Sequence, residues 1–290
     1  MRVVFSRKGF DSSSGGVASP ILPDGRMISL PIPSSSDSYH IGDINVDGVD
    51  IGQLVSDLTG GRYGEQTKVH LDPDLREDAL NRQEGWRPAF GQVGAAQGHL
   101  RNQNVGVGDL FLYFGWFRHV EFSNGSWRYA DGSMDIHAFF GWLQIGEILA
   151  VSGNETSIIE KYDWLNYHPH VSLADRFSSE NNTIYLSSNT LSVNEHVTSH
   201  PGAGVFKKFT PKLQLTSTGM SRSYWRLPSW FMPIDGHPAL SMHSSLKRWQ
   251  KHDDEIVLRT VGRGQEFVLD CEAYPDSENW LMGLFDGALK

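Results

Sequence analysis

One cysteine, Cys271, stands among 290 residues, so no intramolecular disulfide can form and the Cys-based patterns of structural zinc sites are missing. A reducing compartment is the expectation. Long apolar runs are missing as well: none approaches the roughly 18 residues of a membrane span, and Met1 to Lys8 lacks the apolar stretch of a signal peptide. The reading is a cytoplasmic protein with no membrane partner. Excess positive charge is also lacking, with 25 Lys and Arg against 34 Asp and Glu and a net charge of −9. That excludes indiscriminate wrapping of nucleic acid by a basic protein, because phosphate binding draws on cations. The order GxxxxGK[ST], the dinucleotide pattern GxGxxG and the nucleophile elbow GxSxG are absent, which removes three familiar nucleotide and hydrolase motifs.

What is present is a globular composition, with 39% hydrophobic residues, 15 Phe, 9 Trp and 9 Tyr, enough apolar material for one large core. Charge is unevenly placed. Residues 201–263 hold ten Lys/Arg against four Asp/Glu, so this window carries +6 and the remainder −15, and a local cationic face for nucleic acid or nucleotide stays open. Thirty glycines and 13 prolines predict many turns.

The chain reads as mostly β. Arg2 to Ser6 is a short strand, and Asp24-Gly25 between apolar runs signals a hairpin. Leu110 to Phe117 is a buried strand entered through a Gly108-Asp109 turn, and His137 to Ile148 is its return, bent at glycines. Thr67 to Leu71, Asn182 to Leu186, Leu213 to Leu215, Glu255 to Thr260 and Gln265 to Leu269 are further strand candidates. Helices are expected at Val55 to Leu58, at Ala95 to Asn102, over Leu240 to Gln250 with one apolar side, and after Asp276. The expected fold class is α+β, mostly β: one compact unit over 1–290, built around a bent, partly closed barrel with a few peripheral helices.

Two sets of residues carry resemblances. Val107-Gly108-Asp109-Leu110-Phe111-Leu112-Tyr113 with Gly141-Trp142-Leu143-Gln144-Ile145-Gly146-Glu147-Ile148 resembles the core of PUA-like barrels of the ASCH and EVE group, which implies such a core at about residues 100–150. Phe5-Ser6-Arg7-Lys8-Gly9-Phe10-Asp11-Ser12-Ser13-Ser14-Gly15-Gly16, His70-Leu71-Asp72-Pro73-Asp74, Gly108 to Phe111 with Phe114 to Phe117, and Gly264-Gln265-Glu266-Phe267-Val268 are similar to the third of the nucleotide-modification-associated domain families over nearly the whole length. That resemblance implies a setting in nucleic-acid base modification in bacteria and phages, beside other modification enzymes, and supplies no reaction.

The residues suggest where chemistry would sit. Arg7 and Lys8, the hydroxyls of Ser12 and Ser13, and the turn at Gly15-Gly16 have the make-up of a phosphate cradle. Asp11, His70, Asp72 and Glu266 are the candidate acid–base groups. In an extended segment His70, Asp72 and Asp74 share one face and can converge on a metal ion or a substrate hydroxyl. His168 and His170 form a His-x-His pair able to present two imidazoles to one divalent ion, the cofactor such residues would take. Trp116 and Trp225, with Gln97 and His99 for hydrogen bonds, are candidates to hold a base by stacking. The expected function is a base- or nucleotide-modifying enzyme; the alternative is a non-catalytic reader of a modified base.

Overall fold

The computed structural model describes the chain apart from residues 47, 174–180, 194–195, 235–236, 253, 263 and 289–290; Arg263, Asp235 and Asp253 of the charge count lie outside the described residues. In chain order the strands are β1 (Arg2–Arg7), β2 (Ser19–Ile21), β3 (Ile32–Pro33), β4 (Val69–His70), β5 (Ala89–Gln92), β6 (Leu110–Ser123), β7 (Ser126–Tyr129) and β8 (Ile136–Ala150). They continue with β9 (Thr183–Ser187), β10 (Thr190–Val193), β11 (His196–Pro201), β12 (Ala203–Val205), β13 (Tyr224–Pro228), β14 (Trp249–His252), β15 (Glu255–Arg259) and β16 (Glu266–Asp270). The α-helices are α1 (Ile51–Thr59), α2 (Gly94–Asn102), α3 (Glu155–Lys161), α4 (Pro169–Ser172) and α5 (Ser277–Ala288). None is long and apolar enough to cross a membrane among the described residues.

The main sheet runs β16-β1-β6-β8-β9-β5, with β2 and β7 also on β6 and β12 on β8. Strand β6 lies in the middle, and Leu110 to Gly115 are all buried. Both faces are covered there, which is why this stretch is a continuous apolar run rather than an alternating one. The two ends of the path, β16 and β5, do not pair with each other among the described residues. The sheet is therefore open along its pairing path among the described residues, which show the bent sheet of the expected partly closed barrel without its closure. The bend expected at the glycines of β8 is present: its pairing with β9 shifts register between Ile145 and Glu147, and its pairing with β6 shifts opposite Tyr113 and Phe114. Such shifts tighten the local twist of a sheet.

Strand β1 is parallel to β6 from Val3↔Leu110 to Arg7↔Phe114, and β2 takes up the same partner at Ser19↔Phe117. Residues 8–18 are thereby pushed out of the sheet opposite Gly115 and Trp116. Gly115 permits this, since a Cβ there would lie 2.9 Å from the Lys8 carbonyl oxygen. One polar loop is thus anchored at both ends on the central strand.

Three expected elements differ. The Asp24-Gly25 turn forms, with Gly25 N–H donating to Leu22 O at 2.9 Å, yet it returns through a single bridge, Ile21↔Met27, because β2 is committed to β6. No helix spans Leu240 to Gln250. Met242 adopts a left-handed φ of 68°, which no helix accommodates. Leu246 is 56% exposed while Leu240 and Trp249 are buried, so the expected apolar side does not exist; Trp249 opens β14 instead. Leu213 ends a short 3-10 turn rather than lying in a strand. A second apolar cluster packs α1 against Phe10, Leu30 and Val120, and a third gathers Trp164, Leu165 and Val171 beneath β5 and β9.

Candidate functional site

The ends of β1, β4, β5 and β16 and the short helix α4 meet around one small cavity of about 220 Å³, whose lining includes Arg7, Lys8, His70, Asp72, Gln92 and His170. Antiparallel pairing of β3 and β4 sets Ile32 opposite His70, and the chain continues directly into Asp72. Asp72 is fixed from β5: its Oδ1 accepts the Gly91 N–H at 2.8 Å. Its Oδ2 lies 3.8 Å from His70 Nε2 and 3.6 Å from His170 Nε2. His70, Asp72 and His170 each offer an atom within 4.8 Å of the others, the spacing of a metal-ligand set.

Each imidazole is held from behind. His70 Nδ1 is 3.1 Å from Asp37 Oδ1, and His170 Nδ1 is 2.6 Å from Asn182 Oδ1. His168 caps α4, its Nδ1 accepting the His170 N–H at 3.3 Å, while its buried Nε2 has no hydrogen-bond partner among the described residues and stands 3.7 Å from Asp72 Oδ1. Burial drives the His168 pKa well below the ordinary histidine value, helped by the neighbouring His170 and His70. Burial likewise lowers His170, against the pull of Asp72. Asp74 has turned away. Its two oxygens take Arg82 Nη1 and Nη2 at 2.7 and 2.6 Å, and Oδ2 also accepts the Tyr167 hydroxyl at 2.6 Å, so it braces the scaffold and does not share the His70–Asp72 face.

Behind the cavity wall, register places Glu266 and Tyr113 on either side of Ser6. Glu266 Oε1 accepts from Lys8 Nζ at 3.0 Å and Gln92 Nε2 at 2.7 Å. Glu266 Oε2, Ser6 Oγ and Tyr113 Oη are buried and have no hydrogen-bond partner among the described residues. Burial, and then the charges of Asp72 and Glu266, push the Tyr113 pKa well above its usual value.

A larger cleft of about 540 Å³ adjoins, sharing Arg7, Asp11 and Ser13 with the first and lined also by Trp116, His137 and Arg222. The Arg222 guanidinium sits 3.8 Å over the Trp116 ring, a cation–π contact that also presents its N–H groups sideways. Arg222 bonds Ser12 as well. Arg7 Nη2 donates to Gly264 O at 2.9 Å.

The 8–18 loop binds an anion, but that anion is its own. Asp11 Oδ1 accepts the Ser13 and Ser14 N–H groups at 2.8 and 2.7 Å and the Ser13 hydroxyl at 2.7 Å. Burial acts to raise the Asp11 pKa, yet these hydrogen bonds and the Arg7 charge outweigh it and hold it below the usual value. An ionised carboxylate stabilised by three hydrogen bonds to one oxygen is a loop brace and a poor proton acceptor. Gly15 and Gly16 adopt φ of 89° and 79° to close this turn, and Gly16 N–H donates to Asp11 O at 2.9 Å. The cations that line the larger cleft are the side chains of Arg7 and Arg222, each held by a neutral oxygen, of Gly264 and Ser12, whereas Lys8 is engaged by the Glu266 carboxylate.

Of the expected residues, the fold brings together Arg7, Lys8, His70, Asp72, His170 and Glu266, with Asp11, Ser12, Ser13 and Trp116 at the adjoining cleft. Others lie apart. Trp225 is fully buried, packed edge-on against Phe114 and donating its indole N–H to His137 Nδ1 at 3.1 Å, so its ring is core. Gln97 accepts the Tyr185 hydroxyl at 2.8 Å inside the protein, and His99 bonds Ser241 Oγ at 2.9 Å beside a separate hollow. Asp37, Asn182 and Gly91 went unsingled by sequence reasoning. Asp37 lies in a serine-rich loop and Asn182 beyond a polar segment, and neither carries a local motif.

No curated protein and no solved structure matches the chain. A family model described as nucleotide modification associated domain 3 does match, over residues 2–270. With nearly its whole length covered, and polar strand ends gathered at one cleft, the chain belongs to the nucleotide modification associated domain 3 family.

Proposed function

We propose that the protein is an enzyme that modifies a nucleotide or a nucleic-acid base, holding phosphate between Arg7 and Arg222 and presenting the reacting group to the centre formed by His70, Asp72 and His170. The observation that carries this reading is the shared wall: Arg7 lines both the cationic cleft with Trp116 and the cavity of the histidines. An anion bound at Arg7 would stand directly beside that centre. Family membership supports a nucleotide or nucleic-acid partner. Arg222 belongs to the window of net +6, so the uneven charge contributes to this cleft through one residue that the fold brings to the N-terminal loop.

The reader alternative has less support, because it needs open aromatic faces. Trp225 and Trp142 are buried, and one face of Trp116 is taken by Arg222. Binding of nucleoside monophosphates and short oligonucleotides to the metal-free protein, titrated at several salt concentrations, tests the proposal. Arg7→Gln/Arg222→Gln should lose at least tenfold in affinity and show a shallower salt dependence. Equal binding by variant and wild type at every salt concentration would overturn it.

A further inference from the structure

We propose that His70, Asp72 and His170 bind one divalent first-row transition-metal ion, through His70 Nε2, Asp72 Oδ2 and His170 Nε2, with coordination positions open toward Arg7 and Lys8. This deepens the reading above by naming what the centre holds.

Proton positions carry the argument. A carboxylate only accepts hydrogen bonds, so the 3.1 Å contact to Asp37 Oδ1 puts the proton of a neutral His70 on Nδ1 and leaves a lone pair on Nε2. The Asn182 amide is oriented by its Nδ2 donating to His170 O at 2.9 Å, so its oxygen faces His170 Nδ1 at 2.6 Å. His170 Nε2 therefore carries a lone pair as well. Asp72 Oδ1 takes the Gly91 N–H, and Oδ2 faces both imidazoles.

Three acceptor atoms thus converge. The imidazole nitrogens stand 3.8 and 3.6 Å from Asp72 Oδ2, beyond hydrogen-bond length, and a cation among the three atoms would take all of their lone pairs. Metal–ligand bonds of about 2.0–2.2 Å in a tetrahedral set place neighbouring ligand atoms about 3.3–3.6 Å apart, so the two imidazole–carboxylate separations lie within a few tenths of an ångström of that spacing. Asp37 and Asn182 are the outer partners that metal-bound imidazoles characteristically have.

His168 shows the opposite arrangement. Its Nδ1 accepts the His170 N–H, so the proton of the neutral ring is on Nε2, which faces Asp72 Oδ1. It is a donor toward the oxygen that does not ligate, and a positioning residue. The metal pair is therefore His70 and His170 rather than His168 and His170. Two imidazoles and one carboxylate, without thiolate, suit Fe(II), Co(II), Mn(II) or Zn(II) over the oxygen-seeking Mg(II) and Ca(II). Arg7 and Lys8 line the same cavity, so the open positions favour an anionic oxygen ligand.

The test is titration of tag-free, chelator-stripped protein with Co(II), read by its visible absorption and by calorimetry, with elemental analysis of the protein as purified. One ion per chain is expected. His70→Gln and His170→Gln should weaken binding at least 100-fold, Asp37→Asn should weaken it 10- to 100-fold, and His168→Gln should retain one ion per chain. Circular dichroism shows which variants fold. If the ligand variants do not, a rise in the wild-type melting temperature on adding Co(II), reversed by chelator, decides the matter. Wild type that takes up no Co(II), Zn(II) or Fe(II), or a folded His70→Gln/His170→Gln protein that binds as tightly as wild type, would overturn the proposal. Nucleotide binding by the metal-free protein is a separate measurement, so its failure would sink the enzyme reading and leave the metal site standing.

Discussion

A Cβ on Gly91 would lie 2.2 Å from Cδ2 of His170. The same glycine donates its N–H to Asp72, so one backbone position in β5 both orients the carboxylate and makes room for the imidazole beside it. Glycine is needed here for space, because its backbone is not in the left-handed region.

Gly91→Ala should therefore displace His170 at the cost of overpacking, about 1–3 kcal/mol of stability. Co(II) affinity should fall at least tenfold in the same protein. Chemical denaturation and metal titration read the two effects, and an alanine variant with unchanged metal affinity would contradict the close fit.

Asp74→Ala should destabilise without emptying the metal centre. Asp74 is 1% exposed and pairs with Arg82 through both oxygens, and removing one partner of a buried pair costs roughly 3–5 kcal/mol. Urea denaturation should show that loss, while metal content in the folded protein stays at one ion per chain.

Lys8 and Glu266 form a second buried pair at 3.0 Å, with side chains 11% and 1% exposed. Glu266→Gln leaves the Lys8 charge without its partner and should cost about 3–5 kcal/mol. Lys8→Met/Glu266→Gln removes both charges and should recover much of that loss. Double-mutant analysis of denaturation gives the coupling, and additivity of the single losses would show that the pair is not coupled.

Stability should fall on acidification in a way that His137 helps to set. Burial, then the charges of Arg222 and Arg7, lower its pKa from 6.5 to about 3. The unfolded chain takes up this proton first. Stability is therefore complete above about pH 6.5 and declines as pH drops from there toward 3, with a slope from this residue of at most about 1.4 kcal/mol per pH unit. His137→Gln, which can still accept from the Trp225 indole, should flatten the decline measured by denaturation between pH 7 and 5.

Strand β6 and its return β8 were legible because continuous burial leaves an apolar run that needs no partner to recognise. The terminal helix α5 announced itself by an apolar spacing of its own. Leu240 to Gln250 misled because apolar spacing mimics a helix while Met242 takes a left-handed turn and Trp249 joins a sheet. Composition reads the 8–18 loop as a phosphate cradle, yet only the folded loop reveals that its Ser13 and Ser14 N–H groups hold the carboxylate of Asp11. His70 and Asp72 could be paired by eye across two residues. Their partner His170 lies about a hundred positions away on another element, and whether His168 or His170 faces Asp72 as an acceptor depends on hydrogen bonds to Asn182 and to the backbone.

Family membership, the mostly-β character and the residue types of the site follow from local order and composition, since strand periodicity and motif spacing act over a few residues. Convergence is different in kind. Arg7 meets Arg222 at one cleft, and His70, Asp72 and His170 meet at one cavity, only because β1 pairs in parallel with β6 while β5 reaches the sheet through β9. Such long-range pairings, and the proton positions they impose on each imidazole, come from packing and hydrogen bonding in three dimensions.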